Sequence, residues 1–316
     1  MRTVVTGGAG FIGSHLVDAL VERGDDVTVL DDLSTGLRAN IAPGARLIVA
    51  SVTDPDAVAD AVAGAEVVFH LAALGAVARS VADPIATNRA NAEGTLNVLL
   101  QARDAGARRL VFASSSSVYG GAQELPTSES APTRPRSPYA VSKLAAEWYC
   151  RVFSELFDLE TVILRYFNVF GPRQRHDAAY AAVIPRFASA LLDGKRPIVY
   201  GDGLQSRDFT YVSDVIAANL RAAAAPSTVS GSVLNIAPGE THTLLDVLAA
   251  LGTIVGCRPD PVFEDPRPGD IRASCADSRA ARAALDWSPR MSLADGLARY
   301  VDWLVNSRRR NTRSSD

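Results

Sequence analysis

The chain has 316 residues and a mass of 33.4 kDa, and its 47% apolar and 21% charged content excludes an intrinsically disordered, collagen-like or disulfide-scaffolded protein. A formal charge of −3 and a pI near 5.9 argue against a basic nucleic-acid-binding surface, and no apolar run is long enough to span a membrane. Cys150, Cys257 and Cys275 are widely separated without metal-ligand spacing, which suits a reducing cytoplasm. The N-terminus lacks the basic start and cleavable apolar stretch of a secretory leader.

Arg2–Thr6 reads as a short buried strand, followed by a glycine-rich turn and a helix over Phe11–Arg23, where Leu16, Val17, Leu20 and Val21 recur at helical spacing before Gly24. Further strands are expected at Val27–Leu30, Leu47–Ala50, Val67–His70, Leu110–Ala113 and Thr161–Leu164. Helices are expected at Pro55–Val62, Asn91–Ala105 and Tyr139–Phe157. This alternation implies an α/β fold, a doubly wound parallel sheet covered on both faces. Pro- and Gly-containing segments at Gly171–Pro172, Gly194–Pro197, Pro238–Gly239 and Pro266–Gly269 interrupt the second half. We expect a nucleotide-binding domain over residues 1–167 and a smaller, mainly substrate-binding domain over 168–316, with part of the chain after Ser206 returning to the sheet. The polar tail Ser307–Asp316 reads as a frayed terminus.

Gly7, Gly10 and Gly13 form Gly-x-x-Gly-x-x-Gly at the first strand–helix junction. There glycines permit a tight turn, close approach to a pyrophosphate and close helix–strand packing, and the helix N-terminus offers amides to the phosphates. Asp31 ends the second strand, where a carboxylate accepts from a ribose 2′-hydroxyl and repels a 2′-phosphate, so NAD is expected over NADP. Asp32 beside it could share or replace that role. Tyr139 and Lys143 stand four apart on one helix face, where an ammonium is expected to lower the phenol pKa. The serines Ser114–Ser117 are expected just past a strand, at the carboxyl edge of the sheet, where a hydroxyl could share a proton with the tyrosine.

Across nearly its whole length the chain resembles the extended short-chain dehydrogenase/reductases, in particular the nucleotide-sugar 4-epimerases. The resemblance rests on residues 6–13 (TGGAGFIG), 31–36 (DDLSTG), 70–73 (HLAA), 114–120 (SSSSVYG), Tyr139 with Lys143, 165–172 (RYFNVFGP), 201–212 (GDGLQSRDFTYV) and 267–270 (RPGD). It implies a Rossmann fold with Ser115 as the catalytic hydroxyl, Tyr139 as the base, and Lys143 on the nicotinamide ribose. Phe11 and Ile12 fall in the pyrophosphate turn, and Ser34, Thr35 and Gly36 in the loop after the ribose carboxylate. Ser51 and Val52 fall near the adenine, where relatives often carry an aspartate before the aliphatic residue. Leu71, Ala72, Ala73, Leu74, Gly75 and Asn91 belong to the cofactor wall, and Phe167 to the nicotinamide region.

For the substrate, the resemblance implies a UDP-sugar. Asn168, Arg207 and Arg267 face its diphosphate, Asp270 holds a ribose hydroxyl, and Ser115, Ser116, Ser117, Tyr139 and Val183 lie about the sugar. Ser274 replaces a bulky tyrosine of some relatives and leaves room for an N-acetyl group at C2, and residues 178–187 also resemble N-acetylhexosamine epimerases. Arg175 is a competing clue, since an arginine there meets the carboxylate in UDP-glucuronate 4-epimerases. Dehydratases carry an Asp-Glu pair, and decarboxylases a nearby glutamate, where this chain has Ser116 and Ser117. The implied reaction is C4 epimerisation with no net redox change, by a cytoplasmic homodimer that needs no metal. A non-catalytic NAD-binding regulator is the contrasting reading. Leu96, Leu99, Leu100, Trp148 and Val152 are available for core or interface packing.

Overall fold

A computed structural model describes residues 1–121, 124–175, 181–266 and 271–313. Seven strands form one parallel sheet: β1 (Arg2–Thr6), β2 (Asp26–Leu30), β3 (Arg46–Ile48), β4 (Val67–His70), β5 (Arg109–Ser115), β6 (Glu160–Tyr166) and β7 (Ser232–Ile236). Their spatial order is β7-β6-β5-β4-β1-β2-β3. The chain's direction of winding therefore reverses between β1 and β4, the switch point where doubly wound sheets open a crevice at their carboxyl edge. Continuous apolar runs such as Val67–Phe69, Leu110–Phe112 and Val162–Leu164 are fully buried, as strands covered on both faces must be.

Eleven helices accompany the strands among the described residues: α1 (Phe11–Glu22), α2 (Pro55–Val62), α3 (Val77–Ala82), α4 (Pro84–Asn88), α5 (Gly94–Asp104), α6 (Pro138–Leu156), α7 (Val183–Leu192), α8 (Val212–Ala224), α9 (Leu244–Val255), α10 (Arg279–Leu285) and α11 (Leu293–Arg313). Leu16, Val17 and Leu20 of α1 and Val215, Ala218 and Ala222 of α8 cover one sheet face. Val58 and Val62 of α2, Val98 and Leu99 of α5 and Ala146, Cys150 and Phe153 of α6 cover the other. Short strand pairs build the later chain: 169–170 with 210–211, 198–200 with 262–264, and 206–207 with 242–243.

Four expectations need correction. β3 ends at Ile48, so Ala50 is free to face the crevice. β5 runs on through Ser115 because Ser114 satisfies its hydroxyl inside the protein, on Glu147. The helix expected from Asn91 opens as a π-helical turn over Arg89–Glu93, and regular α5 starts at Gly94. The tail does not fray at Ser307: α11 continues to Arg313, with Leu297, Tyr300 and Leu304 buried and Arg308 bonded to Asp193 and Ser189. Of the apolar residues left open, Leu99 is core, Leu96 and Leu100 are half-buried against it, and Trp148 and Val152 are exposed.

Candidate active site

Strand register assembles the first cleft. Thr6 pairs with Leu30 on one side and His70 on the other, so the residues that follow them, Gly7, Asp31 and Leu71, emerge side by side. Gly7 has φ of 73°, and a Cβ there would stand 2.7 Å from the Ala72 nitrogen. A Cβ on Gly13 would lie 2.1 Å from the Gly7 carbonyl oxygen. Helix α1 starts after Gly10 with no side-chain cap, whereas Asp54, Ser137 and Thr243 cap α2, α6 and α9. The first-turn amides of α1 are thus left for an anion, which fits a dinucleotide pyrophosphate.

This cleft, about 410 Å³, is lined by Gly7, Gly10, Phe11, Ile12, Gly13, Asp31, Asp32, Ser34, Thr35, Ser51, Val52, Leu71, Ala72, Ala73, Gly75, Tyr139 and Lys143 of the expected set. Asp31 is buried. Its Oδ2 accepts from the Ala9 amide at 2.9 Å and its Oδ1 from the Leu33 amide at 2.8 Å. Burial raises its pKa while the two amides pull it down, and each oxygen keeps a lone pair for a ribose hydroxyl. Asp32 is instead engaged by the Ser34 amide and hydroxyl, and Ser51 by Thr53.

Three expected cofactor residues do not line this cleft. Gly36 packs beneath the glycine turn, where a Cβ would meet that of Ala9 at 2.7 Å. Asn91 is buried behind the wall: its Oδ1 accepts from the Leu74 amide at 2.8 Å, and its Nδ2 donates to the Leu74 carbonyl and to Ser142 Oγ. Phe167 lies in a second cleft. Leu74 of the expected wall and Ser114 of the serine run also line it, and sequence reasoning missed Leu30, Ala50, Ala76, Arg79, Ala90, Ala113 and Tyr166. Arg79 is the only cation among these, delivered by α3 after Ala76, which holds φ of 77°. No spacing in the sequence signals that turn.

Tyr139 sits in the first turn of α6, whose cap Ser137 accepts from the Ala140 amide at 3.1 Å. Ser115 closes β5 and lines the second cleft with Tyr139. Burial pushes the phenol above its usual pKa and Ser115 pulls it back. Lys143 emerges on the same helix face, but its Nζ donates to the Ala113 carbonyl at 2.8 Å and lies 4.8 Å from the Phe112 ring centre. The group that lowers Tyr139 is therefore Ser115 rather than Lys143, because the ammonium is turned onto the end of β5. Burial brings Lys143 down to about 8, with Cys150 and Glu147 opposing the shift. His70, between Thr6 and Thr95 hydroxyls, is neutral: burial and then Lys143 bring it to about 3.

A second cleft, about 370 Å³, meets the first at Tyr139, Ile12, Ala76, Ser114 and Tyr166. It gathers Ser115, Ser116, Ser117, Asn168, Arg207 and Ser274 of the expected substrate residues. The missed members are Val77, Tyr119, Gly121, Thr127, Val169, Ile271 and Ala273. Arg175 and Val183 are not among the described residues lining either cleft, and Arg267, Asp270 and 178–180 lie outside the described residues. Asp208 knits this cleft together. Its Oδ2 accepts from the Gly239 and Ala276 amides at 3.1 and 2.9 Å, and its carbonyl accepts from Asn168 Nδ2 at 3.1 Å. Asn168 itself has φ of 32°. Asp208 is fully buried with Oδ1 unpartnered, and burial pushes it up to about 7.

A nucleotide cleft at the switch point, meeting at Tyr139 a second cleft that holds Ser115, defines an extended short-chain dehydrogenase/reductase. The chain belongs to the NAD dependent epimerase/dehydratase family, whose model matches residues 3–237. It is 40% identical over 313 residues to a UDP-glucose 4-epimerase of Mycolicibacterium smegmatis, covering 97% of this chain and 99% of that one. It resembles the crystal structure of UDP-glucose 4-epimerase from Thermotoga maritima with UDP-glucose, with a TM-score of 0.94, 36% identity, and 97% and 99% of the chains covered. It also resembles the UDP-N-acetylglucosamine 4-epimerase of Methanobrevibacter ruminantium in complex with UDP-N-acetylmuramic acid, with a TM-score of 0.93, 38% identity, and 97% and 98% covered.

Proposed function

We propose that the chain is an isomerase, an NAD-dependent 4-epimerase of a UDP-hexose, plain or N-acetylated. The observation that carries this reading is the junction of the clefts: Tyr139 lines both, and Ser115 at the end of β5 lines the second beside it. Residues 1–167 hold the cofactor and 168–316 mainly the substrate. The α1 amides take the cofactor pyrophosphate, Asp31 its adenosine ribose and Lys143 its nicotinamide ribose, and Arg79 adds positive charge to the wall. NAD, when bound, supplies a reversible acceptor for the C4 hydrogen of the sugar, so no net oxidation results. Tyr139 removes and returns the proton of the 4-hydroxyl, and Ser115 holds that oxygen and shares the proton. Asn168 and Arg207 receive the diphosphate. A second face of the 4-keto sugar must then be offered to the same tyrosine, which requires the sugar to turn within its cleft.

Ser116 and Ser117 supply no carboxylate for elimination or decarboxylation, which supports simple epimerisation. Ser274 in the second cleft leaves room at C2, which supports a plain or N-acetylated hexose. Exposed Trp148, Tyr149, Val152 and Leu156 along α6 support a homodimer formed through that helix, and we place the protein in the cytoplasm. Purified protein incubated with UDP-Glc, UDP-GlcNAc and UDP-GlcA should, by NMR, convert a neutral sugar to its C4 epimer. No C4 epimer from any of them, with NAD⁺ added, contradicts the reading.

A further inference from the structure

Beneath the junction of the clefts lies a buried cluster that has no part in the proposed chemistry. Glu147, one turn after Lys143 on α6, is only 2% exposed. Its carboxylate is gripped by Arg165 of β6, with Nε to Oε1 at 2.9 Å and Nη2 to Oε2 at 2.6 Å, and it also accepts a hydrogen bond from Ser114 Oγ of β5. Arg165 in turn lies 4.7 Å from the centre of the Tyr119 ring, and Tyr119 Oη donates to Asn235 Oδ1 at 2.7 Å. A buried ion pair is seldom a net source of stability, because desolvating both charges offsets their attraction. Its retention here calls for another explanation.

The connectivity supplies one. Ser114 lies between Ala113, whose carbonyl holds Lys143, and Ser115, which shares the second cleft with Tyr139 and draws its pKa down. Tyr139 and Lys143 ride on α6, and Ser115 on β5. We propose that Glu147 is a positioning residue for the reaction: one buried carboxylate, held by Arg165, fastens α6 to β5 through Ser114 and so fixes Ser115, Tyr139 and Lys143 in mutual register. Arg165 binds both oxygens of the carboxylate, and β6 thereby becomes the third wall of the clamp. The groups facing Lys143 are the Ala113 carbonyl and Phe112 ring of β5, His70 of β4, and Glu147 and Cys150 of its own helix. Both His70 and the Cys150 thiol are held neutral by burial, so Glu147 is the anion that opposes deprotonation of Lys143. Its loss therefore has two consequences, a looser triad and an ammonium that gives up its proton at lower pH.

This inference rests on the proposed roles of Ser115, Tyr139 and Lys143, and the test separates the two. Glu147→Gln and Ser114→Ala are prepared in the full chain, the second variant leaving the Glu147–Arg165 pair intact should the first fail to fold. Turnover of the UDP-sugar, its pH profile, and the titration of Tyr139 are compared among folded proteins. The titration is read as the tyrosinate absorbance lost when Tyr139→Phe is added to each. A misplacement of about 1 Å can cost about 10²-fold in rate. We expect kcat to fall about 10- to 100-fold in Glu147→Gln and about 10-fold in Ser114→Ala, with KM held within about twofold. The alkaline limb of the kcat profile should move to lower pH in Glu147→Gln alone. Tyr139 should titrate higher in both, as Ser115 is less well placed to draw it down. If the wild type turns over no UDP-sugar, the epimerase reading fails while the Tyr139 titration still decides the clamp. Folded variants with wild-type Tyr139 titration, or with wild-type kcat and pH profile, overturn it.

Discussion

The two clefts that meet at Tyr139 are built in opposite ways. The first is made by backbone. Gly7, Asp31 and Leu71 follow β1, β2 and β4, so strand register alone brings them together, and the glycine turn and uncapped α1 supply the anion site. The second is sewn from four distant segments, around 115–117, 168–169, 206–208 and 271–276, whose joint is the Asp208 side chain and two isolated backbone bridges, Thr127 with Ala276 and Ser206 with Ala273. A site set by sheet topology tolerates change in side chains but not in backbone. A site stitched by side chains can change specificity one residue at a time.

The contrast can be attacked at several points. The largest effect is expected where the clefts meet: Tyr139→Phe should lower kcat by about 10²- to 10⁴-fold while leaving bound NAD, released on denaturation, at the wild-type amount. Loss of cofactor together with activity would mean that Tyr139 holds the first cleft together rather than working between the two. Next comes Gly13→Ala, which forces a Cβ to 2.1 Å from the Gly7 carbonyl. It should cost about 1–3 kcal/mol of stability and empty the cofactor site, as seen in the melting temperature and in NAD content. An unaffected NAD content would show that backbone geometry is not what makes this cleft.

Within the second cleft, Ser274→Tyr should slow turnover of acetylated sugars about tenfold or more, against a small loss with plain ones, since the added ring takes the space an N-acetyl group at C2 would need. Equal losses would remove the steric reading of Ser274. A further effect, read in stability and not in turnover, concerns Asp208. Folding raises its pKa from 3.8 to about 7, so the native protein keeps a proton that the unfolded chain releases. Stability should therefore fall as pH rises between about 4 and 7, by at most ~1.4 kcal/mol per pH unit, and level off above. Asp208→Asn keeps an oxygen for the Gly239 and Ala276 amides and removes the titration. The pH slope of its melting temperature should flatten, and an unchanged slope would point to another group.

The same contrast explains what could be read in the sequence. The order of strands and helices, the glycine turn, Asp31 and the Tyr139–Lys143 spacing were legible because each is local, a period or a spacing along a few residues. Ser114 and Ser115 are expected past the end of the strand because an exposed hydroxyl suits the sheet edge, and the buried Glu147 that accepts from Ser114 explains why β5 continues through them. Asn91 belongs to the cofactor wall by sequence but braces it from behind, a distinction carried by the π-helical turn that positions it. Arg79 and Thr127 carry no local signature at all. Their places depend on the positive φ of Ala76 and on the bridge to Ala276. Arg165 and Glu147 are 18 residues apart and meet only when α6 lies across β5 and β6.

In the proposed reaction, what joins the two clefts is a C4 hydrogen that leaves the sugar and returns to it without reaching water, while Tyr139 exchanges only the hydroxyl proton. The direct test is conversion of a neutral UDP-sugar deuterated at C4, in ordinary water, followed by NMR. The expected result is a C4 epimer that keeps its deuterium at C4, with no change in the amount of oxidised cofactor at completion. An epimer that has lost its deuterium to solvent would contradict hydrogen transfer between the two clefts.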